Sequence, residues 1–284
     1  GRVTCMDYSD GTIWVGTHQN GLWRGDVSGR NWKQLTEADG LPDMTISAVT
    51  ADRNGAYVGV GTGSGGLVRI GLDDAVLVME GDNSPTQAPM DIVAHDGSLF
   101  VSSSSRLQEL DLESGTWKAL GTESYCRVFG TASGVWGTFN THQLFRMSEL
   151  KVAIKEFEDR RSESKGRKAA DFVPSLRSLS FEAGHYKDSW FPRGDDRASY
   201  HVKFAVEWDG HIWFGGSPCS RFQSAGLYRC NLKTGEFTMF SPHDGFRPST
   251  TYMTYAAVVR GDELYVATSA GLAVVTRREK ADSK

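Results

Sequence analysis

Short apolar runs, each joined to the next by a polar turn, recur along the whole chain. The first pair spans Asp10 to Asp26 and reads DGTIWVGTHQNGLWRGD. Turn dipeptides introduce similar runs later, at Asn54-Gly55, Asp96-Gly97, Ser133-Gly134, Asp209-Gly210 and Gly261-Asp262. Most of these dipeptides are spaced by roughly 40 residues, a period typical of β-propeller blades when its content is strand–turn–strand. The pattern therefore predicts an all-β fold, a β-propeller.

Each unit also has one apolar run before the turn and one after the second strand. This predicts four antiparallel strands per blade, A to D from the axis outward. Equivalent B-strand positions hold aromatic residues, namely Trp14, Trp213 and Tyr265. Equivalent C-strand positions hold leucine, namely Leu22, Leu67, Leu227 and Leu272. We expect these side chains to pack one blade against the next.

Six units can be aligned, which predicts one domain over residues 1–284 with six blades. Residues 148–200 separate the fourth and fifth units and are predicted to be an insertion, with a degenerate seventh blade as the alternative. The start of this segment, SELKVAIKEFEDRR, fits either a short helix or an outer strand. The last unit lacks a clear D strand after Val275. We expect that strand to come from upstream residues or a partner, or the edge to be bare.

Composition indicates which classes of partner are not expected and says little about function. The formal net charge of -4 gives no electrostatic reason to expect nucleic acid or an anionic membrane surface. No apolar run approaches the roughly 20 residues of a membrane span, so no membrane insertion is expected. Four cysteines are too few for a disulfide framework, although Cys219 and Cys230 could form one bridge. Cys5 and Cys126 lie in apolar runs and are expected to be buried thiols.

The segment Asp10–Ile46 resembles the two-component regulator propeller repeat, with its D-G-x-[IL]-W-[IV]-G-T strand, G-L restart and closing G-L-P. A weaker copy begins at Asp209 with DGHIWFGG and continues through GLYRCNLKTGEFTMF. The resemblance implies a sensor or ligand-binding module, periplasmic or extracellular, within a larger multidomain chain. A cytoplasmic location stays open as the alternative.

Connection length predicts where a ligand would bind. The A-to-B and most C-to-D turns are short and uniform, whereas the D-to-A and B-to-C connections are long and varied. We therefore expect a small polar ligand, such as a carbohydrate, or a loop of a protein partner to bind on the D-to-A and B-to-C face, partly covered by residues 148–200.

Polar side chains on that face are candidate ligand-binding residues: His18, Asn20, Asp43, Asp91, Arg127, His142, His201, Lys203, Arg221, Arg247 and Tyr252. A mixture of carboxylate, imidazole and guanidinium groups suits a hydroxylated or carboxylated ligand. The competing interpretation is that each side chain only satisfies backbone groups of its own loop.

The sequence has no H-E-x-x-H, no G-x-S-x-G and no phosphate-binding loop followed by a helix. We therefore predict a non-enzymatic binding module with no cofactor and no metal. One alternative is a hydrolase or lyase whose axial metal is held by His18, His142, His201 and Asp91, with the insertion as a lid. Asp195 and Asp196 fit either an acid/base pair or an ion-paired loop. A third alternative is a scaffold that binds proteins through the insertion.

Overall fold

A computed structural model describes most of the chain. The described residues are 2–62, 65–82, 84–104, 106–121, 127–139, 143–148, 151, 179–180, 200–218, 227–234, 237–240, 253–269 and 271–276. Their regular structure is β-strand, apart from a 3-10 turn at Glu37–Asp39 and helical residues at Met147, Ser148 and Lys151. The strands form successive antiparallel sheets in chain order, which is the all-β propeller fold predicted from the repeat.

The first three sheets have four strands each, lettered A to D in chain order. Sheet 1 contains β1 (Val3–Ser9), β2 (Thr12–Thr17), β3 (Leu22–Asp26) and β4 (Lys33–Leu35). Sheet 2 contains β5 (Ile46–Asp52), β6 (Gly55–Gly61), β7 (Gly65–Gly71) and β8 (Val76–Val78). Sheet 3 contains β9 (Asp91–His95), β10 (Ser98–Ser102), β11 (Leu107–Asp111) and β12 (Trp117–Gly121).

The later strands form three further sheets, of which the last has three described strands. Sheet 4 contains β13 (Arg127–Thr131), β14 (Gly134–Phe139), β15 (Gln143–Arg146) and β16 (Leu179–Ser180). Sheet 5 contains β17 (Tyr200–Trp208), β18 (His211–Pro218), β19 (Leu227–Asn231) and β20 (Phe237–Phe240). Sheet 6 contains β21 (Thr254–Arg260), β22 (Glu263–Thr268) and β23 (Gly271–Thr276).

Two residues join the A strand to the B strand in every described sheet. In sheets 1, 3 and 5 these residues are Asp-Gly, and both have positive φ: 47° and 82° at Asp10 and Gly11, for example. Positive φ at both central residues defines the type I′ turn, whose twist matches that of the flanking strands. The Asp-Gly dipeptides that mark the repeat in these three sheets are therefore favoured by hairpin geometry.

The chain packs as two compact units, Gly1–Val128 with Ser148–Pro174, and Phe129–Met147 with Ser175–Lys284. In the first unit, fully buried Trp14 and Leu22 of sheet 1 pack on Ile46 and Val58 of sheet 2. In the second unit, Trp213 and its neighbours in sheet 5 pack on sheet 6 in the same manner. Each core lies between consecutive sheets, so burying the B-strand aromatic residue is what joins one sheet to the next.

A small residue follows two positions after each B-strand aromatic residue. The set comprises Gly16, Gly59, Ser102, Thr138, Gly215 and Ala267. A Cβ atom on Gly16 would lie 2.6 Å from Ile46 Cγ2, and one on Gly215 would lie 2.1 Å from Thr254 Oγ1. Both Ile46 and Thr254 begin the A strand of the following sheet. The small residue is therefore needed because the next sheet approaches closely at this point.

Cations lie over the same aromatic rings. Cross-strand register places an arginine of the C strand opposite the B-strand ring, in the pairs Trp14–Arg24, Tyr57–Arg69, Trp136–Arg146 and Trp213–Arg229. Their guanidinium carbons lie 4.4–5.6 Å from the ring centroids. In sheet 3 the position holds Glu109, and Lys151 supplies the cation, with its Nζ 4.9 Å from the Phe100 centroid and ion-paired with Glu109. Such contacts stabilise partly desolvated rings.

The structure corrects two expectations about strand positions. Leu179 and Ser180 pair with β15 and complete sheet 4, so an insertion lying wholly between the fourth and fifth units is not confirmed. Residues 147–178 instead connect strands within sheet 4, and the described start of that segment is helical. Leu272 is 67% exposed, whereas its equivalent Leu22 is buried against sheet 2.

Two thiols can be described. Cys5 and Cys230 are both free, and burial raises the pKa of each to about 11. A thiol with such a pKa is almost entirely protonated at neutral pH and reacts slowly. Cys219 and Cys126 lie outside the described residues, as do residues 277–284, so the expected state of the last edge after β23 is not tested there.

We predict that Trp14→Ala lowers the free energy of unfolding by about 3–5 kcal/mol, because it removes a fully buried indole between sheets 1 and 2. Urea denaturation followed by circular dichroism measures the loss. Trp32→Ala is the matched control, because Trp32 is 40% exposed and should lose less than half as much. A Trp14→Ala loss below ~1 kcal/mol would contradict the packing role.

We also predict that Gly16→Ala is destabilising by about 1–3 kcal/mol, since its Cβ atom would overlap Ile46 and Cys5. Gly66 is the control, because its Cβ atom would meet nothing nearer than Pro85 O at 4.0 Å. Gly66→Ala should change the unfolding free energy by no more than about 0.5 kcal/mol. Equal effects at the two positions would show that close approach of the sheets does not explain the small residue.

Candidate functional site

The two ends of the described sheets differ in the length of their connections. At one end, the A-to-B turns have two residues and most C-to-D turns are short, as in 27–32, 72–75 and 112–116. At the other end lie the B-to-C connections and the D-to-A connections, of which 36–45 and 79–90 are long. The expectation of long B-to-C connections is wrong for sheets 1 to 3, where 18–21, 62–64 and 103–106 are shorter than the C-to-D turns. We call this second end the long-connection end. Sheet 4 departs from the rule, because its C-to-D connection is the long segment 147–178.

A charged cluster occupies the long-connection end in the first unit. Asp91 begins β9, Arg127 begins β13 and Ser102 ends β10, so each lies where its strand meets that end. Arg127 donates from Nε and, at 2.8 Å, from Nη2 to the Asp91 carboxylate. Ser102 Oγ donates to the same carboxylate at 3.2 Å, and the Val128 backbone N–H donates at 3.4 Å. Four donors therefore converge on Asp91.

The Asp91–Arg127 pair is partly buried, with 18% and 23% of the side chains exposed. Burial opposes the charge on Arg127, but the adjacent Asp91 carboxylate outweighs it, so the pKa of the guanidinium is raised. Arg127 stays charged at every accessible pH and is fixed in orientation by two hydrogen bonds. The carboxylate uses most of its acceptor sites on these donors. The cluster can thus hold a rigid cation near the surface, but Asp91 is poorly placed to act as a general base.

Two other candidate ligand-binding residues, Asn20 and Asp43, accept hydrogen bonds from nearby groups. The backbone and side-chain oxygens of Asn20 accept hydrogen bonds from Gln34 Nε2, both at 3.1 Å. Asp43 Oδ1 accepts one from the Thr45 N–H at 2.6 Å. These contacts agree with the competing interpretation that loop polar residues satisfy nearby groups. His18 is half-buried in the first B-to-C connection, where its backbone N–H bonds to Arg2 O.

The structure describes few of the remaining candidate ligand-binding residues. Lys203 is exposed on β17, and His201 lies on the same strand, but its side chain is outside the described set. The other candidates lie outside the described residues: His142, Arg221, Arg247, Tyr252, Asp195 and Asp196. Among the side chains that can be described, no group of three His, Cys, Asp or Glu residues could hold a metal ion. Only Asp91 and Arg127 are therefore shown to meet.

Sequence reasoning missed Ser102 and the pairing of Asp91 with Arg127. Ser102 could have been found from the repeat, because it occupies the small position two residues after Phe100. The Asp91–Arg127 pair joins the first residues of two A strands in successive units, 36 residues apart. Opposite charges on the first residues of consecutive A strands were therefore the sequence feature that predicts this pair.

Comparison with known proteins supports the fold. No protein-family model and no curated protein matches this sequence. Among solved structures, the extracellular domain of BT4673 from B. thetaiotaomicron superposes with a TM-score of 0.66 and 14% identity, over 97% of this chain and 32% of that one. This chain thus spans about a third of that solved chain.

Two structures of YCF48 are also similar. YCF48 bound to D1 peptide has a TM-score of 0.58 at 11% identity, over 97% of this chain and 79% of that one. YCF48 from Cyanidioschyzon merolae gives 0.56 at 14% identity, over 96% and 81%. Identities this low establish a shared fold and nothing further. No helix in the described part of the chain is long and apolar enough to cross a membrane.

We predict a coupling free energy of about 1–3 kcal/mol between Asp91 and Arg127, measured by a double-mutant cycle of Asp91→Ala and Arg127→Ala in urea denaturation. The reason is that removing either partner leaves the other charge partly buried and unpaired. The control cycle uses His95 and Asp96 of the same sheet, whose side chains are close to each other but exposed. We expect their coupling free energy to be below about 0.5 kcal/mol. Similar coupling in the two cycles would contradict a specific role for the cluster.

Proposed function

We propose that this chain is a non-enzymatic binding propeller, a sensor or interaction module that recognises a small polar ligand or a loop of a protein partner at the long-connection end. The asymmetry of the connections carries the proposal. Two-residue hairpin turns are sufficient to join strands A and B in every described sheet. The D-to-A connections at the opposite end, such as 36–45 and 79–90, exceed what strand joining requires, and recognition is the usual reason for such connections.

The charged cluster gives this end its chemistry. Arg127 is held by Asp91 at the start of an A strand, so a carboxylate or hydroxyl group approaching there meets a preorganised cation. His18 lies at the same end of sheet 1 and can donate or accept a hydrogen bond. The candidates outside the described residues, including His142 and Arg221, belong to the same proposal.

The structural comparisons are compatible with this role. BT4673 is named as a one component or hybrid two component system, and its matching part is extracellular. YCF48 was solved with a bound peptide. For this chain we accordingly propose a periplasmic or extracellular location, six blades and a place within a longer sensor or interaction protein.

The metal-dependent alternative finds less support. Its proposed ligand Asp91 already accepts hydrogen bonds from Arg127, Ser102 and Val128. A metal ion would have to displace at least some of these donors and would lie beside the Arg127 cation. The binding function requires no such rearrangement.

A thermal-shift screen with sugars, short peptides and carboxylates tests the proposal, because a ligand that binds only the native state raises the Tm. For any ligand found, His18→Ala and Lys203→Ala should each be titrated by calorimetry. We expect at least one of them to weaken binding about tenfold. The matched controls His95→Ala and Lys233→Ala lie at the opposite end of their sheets and should bind like the parent. Weakening by the controls alone would place binding elsewhere.

A further inference from the structure

The A-to-B turn of sheet 2 holds an asparagine directly before a glycine. Arg53 and Asn54 form this two-residue turn between β5 and β6, and Gly55 is the first residue of β6. Asn54 is exposed to solvent, and its backbone N–H donates to Asp52 Oδ1 at 2.7 Å. An exposed side-chain amide beside a residue that has no Cβ atom is open to attack by the following backbone nitrogen.

The fold requires glycine at position 55. Its φ is 138°, in a region that residues with side chains rarely adopt. A Cβ atom on Gly55 would lie 2.0 Å from the carbonyl oxygen of Ile70 on the neighbouring strand β7. A bulky side chain here would hinder attack by the backbone nitrogen, but sheet 2 has no room for one. Asn54 is therefore followed by an unhindered nitrogen for a structural reason.

Hydrogen bonding distinguishes Asn54 from the other asparagines that the structure describes. Asn20 and Asn231 accept hydrogen bonds on their side-chain oxygens at 2.9–3.1 Å. Asn31 donates one from its side-chain nitrogen. Within the described part of the chain, the Asn54 side chain makes no such bond. It can therefore turn towards the Gly55 nitrogen without losing a hydrogen bond.

Asn20 is an internal comparison, because it is also followed by glycine, Gly21. Its side-chain oxygen is held by Gln34, with Nε2 at 3.1 Å, and the residue is half-buried. Turning this amide towards the Gly21 nitrogen would break that hydrogen bond. The two asparagines thus have the same following residue and differ in how the fold holds their side chains.

We propose that Asn54 is a site of spontaneous deamidation. The Gly55 nitrogen gives its proton to water and attacks Asn54 Cγ, so that an N–Cγ bond forms, the Cγ–Nδ2 bond breaks and ammonia leaves. Water then opens the resulting succinimide ring at either of its carbonyls, which gives aspartate or isoaspartate. One water is consumed, one ammonia is released, and no electrons are transferred. Residue 54 gains a negative charge.

The isoaspartate product would alter sheet 2 directly. Its chain runs through the side chain, which adds a carbon atom to the backbone of a turn with only two residues. Asp52 and Gly55 are paired on either side of this turn, and Asp52 also forms an ion pair with Arg69 at 2.8 Å. The modification therefore lengthens the turn that sets the register of β5 and β6. The site lies opposite the long-connection end, so it is independent of the proposed function.

Peptide mapping by mass spectrometry tests the proposal on the folded protein, incubated at mildly alkaline pH and physiological temperature. Electron-transfer fragmentation distinguishes aspartate from isoaspartate at each position. Asn54 should convert at least about tenfold faster than Asn20, and isoaspartate should be among its products. In denaturing urea neither side chain is held, so the two sites should convert at rates within about threefold of each other.

Asn54→Gln is the matched variant, because attack on the longer side chain must close a larger ring. Conversion at position 54 should then fall at least about tenfold, while the rate at Asn20 stays the same.

Three results would overturn the proposal. The first is conversion of Asn54 no faster than that of Asn20 in the folded protein. The second is a difference between the two sites that persists in urea, since local sequence rather than the fold would then explain it. The third is conversion of Asn54 to aspartate without isoaspartate, which would indicate direct hydrolysis by water rather than attack by the Gly55 nitrogen.

Discussion

The close approach of each sheet to the next is the constraint on which the rest of this structure depends. In sheets 1, 2, 4 and 5, an aromatic side chain of the B strand packs on the following sheet, and the residue two positions later is small. The distances at Gly16 and Gly215 show why: a single added carbon would overlap the first residue of the following A strand. The alternation of large and small side chains therefore sets the separation of the sheets. The repeat is recognisable in the sequence because this geometry recurs.

The arginines of the C strands make cation–π contacts with the same aromatic rings. The aromatic rings of the B strands are buried in sheets 1 and 2, with Trp14 0% and Tyr57 8% exposed. A guanidinium lying over such a ring, as Arg69 does over Tyr57 at 4.4 Å, covers the ring while its charge stays hydrated or paired. In sheet 3 the arginine is replaced by Glu109, and Lys151 restores the cation from another part of the chain. The contact is thus kept although the residue that supplies it has changed, and the start of the 147–178 segment is held on sheet 3.

Sequence reasoning recovers the parts of the fold that local chemistry determines. Type I′ turns require residues that tolerate positive φ, so Asp10-Gly11 and its equivalents mark the hairpins. Strand β16 could not be found in this way, because two residues have no periodicity and their partner β15 lies more than thirty positions earlier. The exposure of Leu272 was also missed, since burial depends on a neighbouring sheet rather than on the strand itself. For the candidate site, residue types were predictable but their pairing was not. Asp91 and Arg127 were predicted as separate candidates, and the structure shows that they bind each other.

Sheet 6 differs from the other sheets on the face that carries Tyr265 and Leu272. The ring of Tyr265 faces Val274 across the strand pair, where the other sheets provide a cation or Glu109 with Lys151. Its C-strand leucine is exposed, and the described part of the chain supplies no fourth strand. In sheets 1 and 5, the arginine and the leucine of the C strand lie on the same face as the B-strand aromatic residue, which is the face that packs on the following sheet. The opposite face of sheet 6, which packs on Trp213 and Leu227, keeps the regular apolar pattern in Leu264 and Val266. The burial of a repeat residue therefore follows from the sheet packed against it and not from its place in the repeat alone, as buried Leu264 and exposed Leu272 show.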